Sequence, residues 1–176
     1  MRLVTTRRAT SLTGLSTEQL REWSSRRALI PADIQNRGRG SQAQYGWQAI
    51  LLLRIALLLK DRFHIELHAH RGLFAALREA LGGISFLKLW STCIAIYDCE
   101  TWELIDVDAT GHMTADAIIV RLDSHLAVLA ADFAMPGSPP TGQLELFPAR
   151  LVSAEADPKA DEPAAEVRQQ PSRRRA

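Results

Sequence analysis

The stretch RATSLTGLSTEQLREW, residues 8–23, sets a glycine between two short runs of helical periodicity. Just upstream, Thr5 or Thr6 offers a cap for a first helix reaching about Thr13, with Leu12 as its inward anchor, and Gly14 supplies the turn. Ser16 opens the second helix as STEQ, one residue short of a full capping box, and Leu15 stands before the cap as a hydrophobic staple. Leu20 and Trp23 share one face, which leaves Glu18, Arg21, Glu22 and Ser25 mostly outside. A bracing helix, a tight turn and a second helix make up the helix-turn-helix plan, which carries the second helix into the DNA major groove. Ser16, Thr17, Gln19 and Arg21 then supply hydroxyls, an amide and a guanidinium, the groups that bind phosphates or base edges.

Downstream runs ALIPADIQNRGRGSQAQY, residues 28–45. Pro31 stops the second helix, and Gly38 and Gly40 allow a tight excursion that carries Arg37 and Arg39. A basic hairpin directly after such a helix reads as a wing, able to grip phosphates or enter a narrow minor groove. Charge agrees with that placement. Residues 1–80 hold 13 Lys/Arg against 6 Asp/Glu, whereas residues 81–152 hold 3 against 9. A polyanion is therefore drawn to the first half, although the whole chain carries a net charge of only +1.

The longest apolar run, QAILLLRIALLLK from Gln48 to Lys60, is broken by Arg54 and falls short of the ~20 residues that span a bilayer. We read it as the centre of a core helix from about Trp47 to Phe63, apolar over too wide a surface to be covered from one side only. A fourth helix, about His68 to Leu81, stops at Gly82 and Gly83. Beyond it LWSTCIAIYD and TWELIDV predict two strands joined through Asp98 to Thr101, and AIIVRL a third. Leu126 to Phe133 fits helix or strand, and QLELF, residues 143–147, fits an edge strand. With 47% apolar residues in 176, the chain can build one domain or two small ones, while its last residues offer almost nothing to bury.

At this point the residue order resembles the MerR superfamily of transcription regulators over residues 3–80. The resemblance is carried by Thr5, Leu12, Thr13-Gly14-Leu15-Ser16, Leu20-Arg21-Glu22-Trp23, Ala28-Leu29-Ile30-Pro31, Gly38-Arg39-Gly40-Ser41, Tyr45 and the aliphatic helix Ile50 to Leu58. It implies that Ser16 to Arg21 lie on the recognition helix, that Arg37 and Arg39 lie in the wing, and that Tyr45 reaches a phosphate. Three features depart from the family pattern. Ala28 stands where Gly is usual, Gln42, Ala43 and Gln44 stand where basic residues are common, and residues 84–150 look β-containing where a long coiled-coil helix is typical.

Other chemistries find less in the sequence. His64, His68 and His70, with Cys93 and Cys99, lack the paired spacing of a metal site, and we expect junction and packing roles for them. No nucleophile triad or phosphate-binding glycine loop is present, and the carboxylates Asp98, Glu100, Glu103, Asp106 and Asp108 fit a solvated hairpin face. Trp90, Tyr97 and Trp102 fit cross-strand packing better than an effector pocket. Two cysteines and no signal-peptide pattern suit a reducing, cytoplasmic setting.

The expectation is an α+β protein with a winged helix-turn-helix DNA-binding domain at 1–80, a small α+β module for oligomerisation or effector sensing at 84–150, and a disordered tail at 151–176. It would act as a homodimeric, sequence-selective regulator on double-stranded DNA, with an unknown small-molecule or protein effector, no cofactor, no membrane partner and no enzymatic activity. The alternatives are an architectural or accessory DNA binder, and a protein-interaction module that has lost DNA binding.

Overall fold

Helix α3, Trp47–Phe63, is the element around which the others assemble, because its sequence leaves almost no polar side. Ala49, Ile50, Leu51, Leu52, Leu53, Ile55, Ala56 and Leu59 are all fully buried. The computed structural model describes residues 2–36, 38 and 41–138; the tail at 151–176 and the strand expected at 143–147 lie outside the described residues.

Among the described residues, five α-helices, one π turn, two short 3-10 helices and two small antiparallel sheets make up this mixed helix and sheet fold. Strand β1, Val4–Thr5, runs directly into α1, Thr6–Thr13, and Gly14 closes that helix at φ 81, donating its N–H to the Thr10 carbonyl at 2.9 Å. Only glycine adopts such a backbone without strain, which explains the break. Helix α2, Thr17–Arg21, follows after the turn. Strand β2, Gln44–Tyr45, pairs with β1, aligning Val4 with Tyr45 and Thr5 with Gln44. Helix α4, Arg71–Gly82, presents Leu73, Phe74, Leu77 and Leu81 inward, an amphipathic stripe that packs on α3. It begins after a turn at 67–70, later than the sequence suggested, and His64 in the left-handed region at φ 54 ends α3.

The second sheet has the order β4-β3-β5, formed by β3 Thr92–Ile96, β4 Trp102–Asp106 and β5 Ile118–Arg121. Ile94 pairs with Leu104 on one side and Val120 on the other, and Ile96 with Trp102 and Ile118. Those residues give the sheet its apolar face. Helix α5, Asp123–Phe133, resolves the ambiguous segment; Leu126, Leu129 and Phe133 carry its buried stripe against α3. A single apolar cluster runs from Val4 through α3 to Phe133, and all described residues fall in one compact unit. Trp90 and Phe86 meet edge to face at 6.1 Å within this cluster, so Trp90 serves packing. The carboxylate of Asp98 accepts the N–H groups of Glu100 and Thr101, both at 2.7 Å, which shapes the β3–β4 hairpin and holds its pKa below the usual carboxylate range.

The one charge in the buried part of α3 is Arg54. Its guanidinium donates to the Leu12 carbonyl near the end of α1, and its Nε donates to His125 Nδ1 on α5 at 3.2 Å. The accepting nitrogen requires a neutral imidazole. Burial, aided by the neighbouring guanidinium, pushes the His125 pKa down to about 4. A second tie, Arg8 to Asp132, also joins α1 to α5 at the surface.

Because the unfolded chain gains a proton at His125 near pH 6.5 and the folded chain only near 4, this histidine favours folding above pH 6.5. Its contribution should fade by roughly 2 kcal/mol as pH falls through that window. Urea unfolding at pH 7 and pH 4.5 checks this: His125→Gln should show a smaller loss of stability between the two pH values than the wild type.

Candidate nucleic-acid interface

The second helix begins on a complete capping box, not a partial one. Ser16 Oγ accepts the Gln19 N–H at 3.1 Å while Gln19 Oε1 accepts the Ser16 N–H at 3.0 Å. Counting Ser16 itself as the cap puts Gln19 at the third helical position, which completes the motif. Leu15 and Leu20, at the two staple positions, are both buried. This arrangement commits the oxygen of Gln19 to the backbone. A glutamine reads adenine through its oxygen and its nitrogen together, and the closed box fixes the orientation of that oxygen and occupies one of its two lone pairs.

Past Arg21 the helix widens into a π turn, Glu22–Arg26, in which the Arg27 N–H reaches back to the Glu22 carbonyl at 2.8 Å. Ser24 is fully enclosed there. Its hydroxyl donates to the Leu20 carbonyl at 2.7 Å and lies 3.1 Å from the Tyr45 hydroxyl. Tyr45 is itself only 1% exposed, so its hydroxyl couples β2 to the π turn. The turn ends at Ala28, which sits at φ 47. That left-handed backbone is one a glycine would occupy without steric cost, and the structure gives no reason for alanine there.

The hairpin after it is anchored at its base. Ile34 and Gln44 exchange backbone hydrogen bonds of 3.1 and 2.9 Å, and Asp33 accepts the Gly46 N–H at 2.6 Å while pairing with Arg78 of α4 at 2.7 Å. Arg78 also donates to the Pro31 carbonyl. Within the loop Gly38 turns at φ 95, and the Ser41 hydroxyl donates to the Asn36 side-chain oxygen at 2.6 Å. Arg37 and Arg39 lie outside the described residues.

Between these parts lies an open cleft of about 500 Å³. Helix α1 contributes Thr6, Arg7 and Thr10 to its wall, and α2 contributes Thr17 and Arg21. The π turn adds Ser25 and Arg26, and the hairpin adds Asn36, Ser41, Gln42 and Ala43 above a floor that includes Tyr45. None of the described lining residues is acidic. Arg7 and Arg21 are exposed and carry no ion pair to a described residue, while Arg26 faces Glu22 at 3.6 Å as a largely solvated pair. Glu22 is held more firmly by Arg27 at 2.7 Å, which keeps its carboxyl below the ordinary range.

The cleft thus unites Thr17, Arg21 and Tyr45. Ser16 and Gln19 face each other at the start of α2 instead. Sequence reasoning missed Arg7, Thr10, Ser25 and Arg26, having treated α1 as a brace alone. The pair Arg7-Arg8 was the available signal: the structure leaves Arg7 at the cleft and ties Arg8 to Asp132. Of the histidines, His70 turns its Nδ1 to the Glu66 carbonyl at 3.1 Å, and among the described residues no three His, Cys, Asp or Glu side chains gather as a metal site would require. Among them, too, no helix is long and apolar enough to cross a membrane. Compared with protein-family models and with curated proteins, the chain matches none of either.

Two substitutions test this local architecture. Ser16→Ala should cost about 1 kcal/mol in urea unfolding, since it removes the cap of α2. Ala28→Gly should raise stability by about 0.5 kcal/mol, because relief of the left-handed strain slightly exceeds the added chain entropy. A loss of stability in Ala28→Gly would show that the turn is not strained.

Proposed function

We propose that the chain is a sequence-selective regulator that binds double-stranded DNA with α2 toward the major groove and the hairpin beside it as a wing, in the manner the MerR resemblance implies. The observation that carries this reading is the composition of the cleft, where Arg7, Arg21 and Arg26 converge among hydroxyls and amides without a described carboxylate. Such a surface suits phosphate oxygens, and two of its three guanidiniums have no ion-pair partner among the described residues to give up. The basic balance of residues 1–80 adds long-range attraction to the same end.

In this reading Thr17 and Arg21 meet base edges or phosphates, Arg7 and Arg26 flank them, and Arg37 and Arg39 act from the wing. Ser16 and Gln19 position α2 through its cap. Tyr45 holds the wing to the π turn. Binding as a homodimer would place two such helices in half-sites about 34 Å apart.

The test is fluorescence anisotropy on a duplex selected from a random library, alongside an unselected duplex, over a range of salt concentrations. Arg7→Ala, and separately the pair Arg37→Ala and Arg39→Ala, should flatten the log–log salt dependence by about 0.9 for each phosphate no longer neutralised. Arg21→Ala should weaken the selected duplex more than the unselected one, by about 1 to 3 kcal/mol for a bidentate base contact. Equal binding to every sequence would make the protein an architectural binder. No binding even in dilute salt would refute the reading and leave an interaction module.

A further inference from the structure

A separate cavity lies on the other side of the π turn, where Trp23 and Leu29 meet the segment that follows α3. It holds about 150 Å³ and is floored by Trp23, Leu29, Ile65 and Leu67. Three of these four are less than a tenth exposed. An apolar cavity of this volume accommodates a single benzene ring. The polar side chains that also line it are Arg27, Lys60 and His68, with one carboxylate, Glu66. Arg27 is already engaged by Glu22 at 2.7 Å. Lys60 has no ion pair to a described residue; its ammonium lies over the Trp23 ring, 5.5 Å from the centroid, as a cation–π contact. A cation held over an aromatic ring, with no carboxylate paired to it among the described residues, therefore stands at an aromatic-walled cavity of one-ring size.

The geometry points to a binding site for a small aromatic carboxylate, with the ring on Trp23, Leu29, Ile65 and Leu67 and the carboxylate on the Lys60 ammonium. A neutral ring would fill the same apolar space but leave the ammonium without a counter-charge, and an aliphatic acid would lack the flat contact with Trp23. The location gives occupancy a consequence. The Trp23 carbonyl accepts the N–H groups of both Leu29 and Ile30, at 2.8 and 3.2 Å, so the tryptophan that walls the cavity also fixes how the chain leaves the π turn toward the hairpin. An effector site was expected in residues 84–150; this one is built wholly from residues 23–68.

The experiment is isothermal titration calorimetry of the full chain with benzoate, benzyl alcohol and acetate, without DNA, so that its outcome is independent of the DNA-binding reading. Benzoate should bind saturably, with Kd on the order of 1 mM or tighter. Benzyl alcohol and acetate should each bind at least about tenfold more weakly, and Lys60→Gln should weaken benzoate about tenfold, as expected when one charge-assisted hydrogen bond is removed. Lys60→Arg should retain binding, and Ile65→Phe, which fills the cavity from its half-buried edge, should abolish it. Lys60 is exposed, so its variants keep the result decisive even if Ile65→Phe fails to fold. Absence of saturable benzoate binding up to about 10 mM, equal affinity for benzyl alcohol, or unchanged affinity in Lys60→Gln would each overturn the assignment.

Discussion

A single guanidinium inside an otherwise apolar helix sets the geometry on which the other elements rely. Arg54 interrupts the aliphatic run of α3 at a depth where an unpaired charge would be costly, and the fold answers with the Leu12 carbonyl and a neutral His125. A hydrogen bond to a charged group contributes about 1.5 to 3 kcal/mol, so α1 and α5 are held to α3 by more than area burial. That fixes the end of α1, and the short Gly14 turn hands the constraint on to α2. Hydrophobic packing alone would allow α1 to slide along α3; a directional bond to the carbonyl of Leu12 does not.

From α2 the same logic reaches the hairpin. Ser24 bonds to Tyr45, Asp33 to Gly46 and Arg78, and the Ile34–Gln44 bridge closes the loop. These bonds place α1, α2 and the hairpin around a cleft whose cations face outward. Charge is sorted by the fold as well as by the sequence: Arg8, Arg27 and Arg78 are given to Asp132, Glu22 and Asp33, while Arg7 and Arg21 are left available. The segments before and after residue 80 share the apolar cluster, and a change in α5 bears on α1 through Arg54 and Arg8. In the proposed function, this is the route by which the second half of the chain could influence DNA binding.

Local signals were legible. Gly14, Ser16 and the aliphatic run marked α1, the start of α2 and the bounds of α3, and the apolar and aromatic runs LWSTCIAIYD and TWELIDV on either side of Asp98 to Thr101 marked β3 and β4. What the sequence hid depends on pairings between distant residues or on backbone state. The burial of Tyr45 follows from Ser24, and the use of the Gln19 oxygen follows from a cap that looked incomplete. The later start of α4 reflects the turn at 67–70, which carries no glycine or proline to announce it. Helix α5 was ambiguous because LAVLAADF suits a buried strand and a helix equally until α3 supplies a partner for its stripe. Which of Arg7 and Arg8 remains available was decided by Asp132, far along the chain.

If the cationic cleft, and no other face, meets duplex DNA, amide chemical-shift mapping on isotope-labelled protein reads it out most directly, as a selected duplex is added at low salt. Shifts should gather at residues 6–10, 16–26 and 36–45, with the sheet of residues 92–121 unmoved. Shifts centred on that sheet, or none anywhere at saturating duplex, would contradict the proposed interface.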